Sequence, residues 1–170
     1  MDFLELAAAR YSVRKFEEKP VRQADLDRIL QAGHLAPTGC NRQPQRILVI
    51  RSEENMEKLR GCTRCHFGAP MAMLVAYDRN ISWKRPYDGA DSGWADASIV
   101  TTHMMLAAAE IGVGTTWVMH FNPAAIQEAF SLPDTLVPVA LLVMGYPAED
   151  ARPLDLHSQF LPMEDTISFL

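Results

Sequence analysis

Residues 96–121 read DASIVTTHMMLAAAEIGVGTTWVMHF, and the period of the apolar side chains changes within this stretch. Ala97, Val100, Met104, Ala107, Ala108 and Ile111 recur at three- to four-residue intervals, the spacing of one helical face. Apolar character also extends around the rest of the cylinder, which predicts a buried central helix from about Asp96 to Ile111. Gly112 ends it, and Thr115 to Phe121 predicts a strand. A buried helix that turns directly into a strand needs a second layer to pack on, so the expected architecture is a layered mixture of helices and sheet.

The rest of the chain repeats the alternation. Residues 2–10 and 22–34 predict helices, with Phe3, Leu6, Ala7 and Arg10 on one stripe and Leu26, Ile29, Leu30 and Gly33 on the other. Ala36-Pro37-Thr38-Gly39-Cys40-Asn41 breaks the pattern, and Arg46 to Arg51 follows as a buried strand. Ser52 caps a short helix whose first turn holds Glu53 and Glu54, favourably placed for the helix dipole. Met71 to Tyr77 and Val137 to Met144 predict two more strands, and Asn122-Pro123 a helix start. Between Tyr77 and Asp96 a polar stretch carries Trp83, Arg85, Pro86, Tyr87, Asp88 and Trp94 and is expected to form a loop or lid.

With 170 residues, 48 % of them hydrophobic, the chain can bury one substantial core, and residues 1–170 are expected to form a single domain. A formal charge of -5 without a Lys/Arg block speaks against nucleic acid or an anionic membrane as partner. Asp2 and Glu5 interrupt what would be a secretory leader, and no apolar run approaches the ~20 residues of a membrane span. Three cysteines, an odd number, suit a reducing compartment. A cytoplasmic location is expected.

Several other motifs bear on chemistry. Gly112-Val113-Gly114 follows a helix and opens a strand, the reverse of a dinucleotide fingerprint. Its glycines would still let backbone approach a planar ring. Cys62-Thr63-Arg64-Cys65-His66 spells the c-type haem attachment pattern, but haem, zinc and a reversible dithiol each lack a further element: an export route, a fourth ligand, or a preceding strand. A local, non-catalytic pair is the simplest account, and a metal or haem redox protein using Cys62, Cys65 and His66 is the rival reading. His34, His103, His120 and His157 are scattered, and no nucleophile elbow is present. The methionines in apolar runs serve as core filler.

Residues 10–16, RYSVRKF, carry the strongest functional signal. In an extended segment Arg10, Ser12 and Arg14 line one side, with Tyr11, Val13 and Lys15 on the other. Two guanidinium groups and a hydroxyl suit a phosphate or an oxygen-rich planar ring. The same residues would also serve as a solvated basic turn.

The ordered set R10-Y-S12-V-R14, A36-P37-T38-G-C-N41-R-Q43-P44, A107-A-A-E-I-G112-V-G114-T115-T-W117 and G145-Y146-P147 resembles the nitroreductase family of flavin enzymes across nearly the whole chain. The resemblance implies an α+β three-layer sandwich with a central mixed, mainly antiparallel sheet flanked by helices. It further implies a homodimer with FMN in sites at the subunit interface, NAD(P)H as hydride donor, and a small acceptor, a nitro compound or quinone, reduced by ping-pong turnover; a flavin-binding protein without turnover is the alternative. Arg10, Tyr11, Ser12 and Arg14 match the first FMN motif, and Asn41 and Gln43 the loop that reaches the flavin from the partner. Gly114, Thr115, Thr116 and Trp117 match the stretch against the ring's other face. Because the cofactor carries the chemistry, no catalytic acid or base is expected; Arg14 is the candidate electrostatic stabiliser of reduced flavin. One departure stands out: His157-Ser158-Gln159-Phe160-Leu161 lacks the C-terminal base that grips the phosphate in the family, and Arg152 is the nearest substitute. Trp83, Tyr87 and Trp94 could stack on an aromatic acceptor, pack in the core, or form a dimer arm.

Overall fold

The computed structural model describes residues 2–170. Its sheet has four strands, β1 (Gln45–Ile50), β2 (Met71–Asp78), β3 (Gly114–Val118) and β4 (Leu136–Gly145), in the order β1-β2-β4-β3. All three pairings are antiparallel. Among the described residues a parallel element enters only as an isolated bridge between Ser12 and Thr115, where the segment after the first helix lies along the edge strand β3.

Helices cover both faces of the sheet. α2 (Gln23–His34) and α4 (Gly93–Glu110) pack on one face, where Met73, Val75 and Leu142 meet Leu26, Ile29, Val100 and Met104. α3 (Glu53–Cys62) and α5 (Pro123–Ala129) pack on the other, where Leu74, Leu141 and Val143 meet Met56, Leu59 and Ile126. Because alternate side chains of one strand feed both cores, Met71 to Tyr77 is buried at every position. This explains why β2 reads as a continuous apolar run. Pro138 cannot donate to the ladder. It sits where the β2–β4 register slips between Val75 and Ala76, so the proline falls at an irregularity that tolerates it.

α1 (Phe3–Ala9) begins with a capping box between Asp2 and Glu5. The Ser52 hydroxyl caps α3 by accepting the Asn55 N–H, and the Asn122 side chain caps α5, which has Pro123 in its first turn. At the end of α4, Gly112 has φ +76°, and the N–H of Val113 returns to the Ala108 carbonyl at 2.9 Å. A left-handed residue there closes the helix and sends the chain straight into β3.

Three expectations change. Trp94 belongs to α4 rather than to the preceding loop, because an Asp91 side-chain oxygen accepts the Gly93 N–H and starts the helix earlier. α4 is buried along one stripe only, leaving Trp94 and Ile99 45 % and 37 % exposed. β3 stops at Val118; Met119 and His120 are exposed as the chain turns toward the Asn122 cap. Beyond β4, residues 155–158 form a 3-10 turn and Met163–Thr166 a single-turn helix, α6.

Candidate functional site

Arg10 closes α1, donating its N–H to the Leu6 carbonyl, and the chain then runs extended along β3. The Val13 N–H donates to Thr115 O at 2.9 Å, and the Thr116 hydroxyl donates to Val13 O. Val13 is buried, as the predicted alternation requires, while Arg14 points outward. A Cβ on Gly114 would lie 2.7 Å from Val13 Cγ2, so glycine at this position is what lets the 11–14 segment seat against the strand.

Arg10, Tyr11, Ser12 and Arg14 line one cleft of about 310 Å³, whose opposite wall is the C-terminal segment with Leu154, Leu156, His157 and Phe160. Tyr11 therefore borders the same cleft as the two arginines instead of facing away from them. Its ring meets His157 edge-on, with centroids 6.3 Å apart. The Arg14 guanidinium donates to Ser12 O at 3.0 Å and lies 5.7 Å from the centre of the Phe67 ring. Among the described residues no carboxylate lines this cleft. Two guanidinium groups, a hydroxyl and an imidazole beside apolar walls fit a group that is both anionic and flat.

A second cleft, about 160 Å³, shares Arg10 and Tyr11 and is bordered by Gly112, Gly114 and Thr115. Thr116 and Trp117 border neither cleft. The Thr116 hydroxyl is engaged by Val13 O, and Trp117 packs against the α2/α4 core with its indole Nε1 buried and without a partner.

Asn41 and Gln43 sit apart from both clefts, on the loop between α2 and β1. They bond to each other, Gln43 Nε2 to Asn41 Oδ1, at 3.0 Å. Cys40, Asn41 and Gln43 have φ of 48°, 52° and 50°, left-handed geometry that costs roughly 1–3 kcal/mol per non-glycine residue and persists where the surroundings enforce it. Part of that enforcement is Asp96 of α4. Its buried carboxylate accepts the Gly39 N–H and the Ser92 hydroxyl, both at 2.7 Å.

The polar contacts of the Cys62–His66 run are local. Cys62 Sγ faces Lys58 O at 3.3 Å, burial pushes its thiol pKa up, and His66 Nδ1 accepts the Gly68 N–H. Among the described residues no three His, Cys, Asp or Glu side chains gather in an arrangement able to hold a metal ion. Arg152 turns back on its own segment, donating to the carbonyls of Glu149 and Ala151, and does not border the cleft. His157 does, a role for which its isolated position in the sequence gave no spacing signal. Tyr87 is almost fully exposed, and neither it nor Trp83 or Trp94 borders either cleft.

The nitroreductase family model matches residues 7–67 and 60–146, and the chain belongs to that family. It is similar to a nitroreductase family protein of Clostridium difficile 630 whose crystal structure superposes with a TM-score of 0.94, at 42 % identity over 99 % of this chain and 98 % of that one. A protein of Methanothermobacter thermautotrophicus, provisionally named NADH dehydrogenase/NAD(P)H nitroreductase, is 30 % identical, covering 92 % of this chain and 83 % of its own length. The FMN reductase [NAD(P)H] of Bacillus subtilis is also 30 % identical, over 81 % of this chain and 63 % of its own.

Proposed function

We propose that this chain is an FMN-dependent oxidoreductase that uses NAD(P)H to reduce a small, aromatic acceptor such as a nitro compound or a quinone. The observation that carries the reading is the cleft where Arg10, Ser12, Arg14 and His157 converge without a carboxylate. The names of the archaeal and Bacillus relatives support the same donor, and the latter the same cofactor. Bound FMN would supply the redox chemistry, hydride transfer from NAD(P)H and electron transfer to the acceptor in ping-pong order.

The protein's part is binding and electrostatics. Arg10, Ser12 and His157 offer donors to a phosphate or to ring oxygens, and His157 takes the place of the missing C-terminal base. The exposed positive charge of Arg14 favours whichever cofactor state is more negative. Backbone at Gly114 and Thr115, with no side chain on the glycine, allows close approach of a flat ring.

A homodimer with interfacial sites completes the reading, with residues 1–170 acting as one unit of the pair. Asn41 and Gln43 border neither cleft, so a second copy would have to bring them to the cofactor. The exposed Trp94 and Ile99 of α4, and the exposed Leu154, Leu156, Phe160 and Phe169 of the C-terminal segment, offer apolar surface for that copy. Among the described residues no helix is long and apolar enough to cross a membrane; a cytoplasmic location, with a second copy, nucleotide and a small acceptor as partners, belongs to the same proposal.

FMN titration of the purified protein tests the proposal. Saturable quenching of flavin fluorescence, bleaching of the visible bands by NADH or NADPH without oxygen, and recolouring on adding a quinone or nitroarene are expected. Failure to bind FMN overturns the reading; binding without bleaching reduces the protein to a flavin carrier.

A further inference from the structure

The 62–69 run, CTRCHFGA, is tied down along its length. The Thr63 hydroxyl donates to His120 O and accepts the Cys65 N–H, the Asn122 N–H donates to Cys62 O, and the N–H groups of Gly68 and Ala69 donate to Nδ1 and O of His66. Inside this turn Phe67 adopts φ +52° and Gly68 φ +66°. Glycine takes that geometry freely; for a bulky aromatic residue it is an outlier that the surroundings must impose. What it achieves is specific. The Phe67 ring packs at the edge of the core shared by α3 and α5, and it lies 5.7 Å from the Arg14 guanidinium.

We propose that Phe67 is a positioning residue for Arg14: the ring, held by the left-handed turn, and the Ser12 carbonyl together fix the guanidinium at the cleft before any ligand arrives. An exposed arginine on its own samples many rotamers, and a charge that must be ordered during binding contributes less than one already in place. The aromatic face offers the guanidinium a flat seat with an electrostatic preference for cations, and the Ser12 O contact at 3.0 Å orients one edge of its plane. The Cys-x-x-Cys-His run is then a structural turn that serves the cleft through its next residue.

The proposal rests on FMN occupying the Arg10–Ser12–Arg14 cleft, so its test includes a measurement that needs no flavin. In the protein without FMN, the Arg14 Nε–H resonance should be shifted upfield by the ring current in wild type and in Phe67→Tyr, and should move toward the random-coil position in Phe67→Leu. With FMN, Phe67→Leu should weaken binding by about two- to fivefold, the range of an exposed cation–π contact, and lower the flavin midpoint potential; Phe67→Tyr should behave as wild type. In an R14A background, Phe67→Leu should have no further effect on either quantity. If Phe67→Leu does not fold, Phe67→Met takes its place. An unshifted Arg14 resonance in wild type, or an effect of Phe67→Leu that is as large in the R14A background, overturns the positioning role. Absence of FMN binding by the wild-type protein overturns the functional reading instead and leaves the resonance test standing.

Discussion

Gly114 joins the fold to the candidate site through a single missing carbon. A methyl group there would meet Val13 Cγ2 at 2.7 Å, Val13 Cβ at 2.9 Å and Pro147 Cγ at 3.0 Å, and Val13 is flanked by the two cleft residues Ser12 and Arg14. Overpacking of this kind typically costs about 1–3 kcal/mol. Gly114→Ala should therefore lower the urea midpoint at unchanged slope and weaken FMN binding in the same variant. A stability loss with unaltered FMN affinity would show that the 11–14 segment moves as a body without disturbing the cleft. Thr116→Val removes the donor to Val13 O with little change in size, leaving a buried carbonyl without its partner. About 1–3 kcal/mol of destabilisation is expected by chemical denaturation.

The elements are joined by two buried carboxylates. Asp96, near the start of α4, holds the Gly39 N–H of the loop that contains Asn41 and Gln43. Asp96→Ala should cost about 1–3 kcal/mol because that donor and the Ser92 hydroxyl lose their shared acceptor, and amide exchange over residues 39–43 should accelerate more than in α2 or β1. Asp25 of α2 accepts a guanidinium fork from Arg22 and the Tyr146 hydroxyl at 2.6 Å, tying the helix to the end of β4. These partners, Arg22 foremost and then Tyr146, hold its pKa below the ordinary 3.8. A carboxylate depressed in the folded state contributes stability that is fully present above its unfolded pKa and is lost as pH falls through the folded one. Wild type should therefore exceed Asp25→Asn in thermal midpoint at neutral pH, and the gap should close in acid below about pH 4; a gap constant from pH 7 to pH 2 would exclude the linkage. Elements of this kind differ in how far their sequence betrays them. β2 and β4 are legible because strands covered on both faces need unbroken apolar runs, and α2 because one buried face repeats at helical spacing. The Asp96 and Asp25 ties are not: each joins residues 57 or 121 positions apart, and no local period reports a partner at that distance. The left-handed residues 40, 41, 43 and 67 are equally silent, since none of them is glycine.

At the scale of the whole molecule, the proposed dimer would give the C-terminal segment two tasks that its sequence does not advertise, because its turns are too short to show a period. Within the chain it walls the cleft through Leu154, Leu156, His157 and Phe160. Outward it leaves Phe160 and Phe169 84 % and 98 % exposed, apolar surface that water penalises at roughly 25 cal/mol per Å² and that a second copy would cover. A chain truncated after residue 159 keeps His157 and every strand and packed helix of both cores, but loses those aromatic side chains. It should retain its far-ultraviolet circular dichroism, and sedimentation equilibrium should show it shifted from two 170-residue chains toward one. If FMN is held between two copies, its affinity for the truncated chain should rise with protein concentration as dimers re-form. His157→Ala in the full-length chain separates the two tasks: it should weaken FMN binding by removing a donor from the cleft while the mass stays that of the dimer. A truncated chain that remains fully dimeric would move the interface to other exposed apolar residues such as Trp94 of α4, and a 170-residue chain that sediments as a single subunit while binding FMN tightly would place the whole flavin site within one copy.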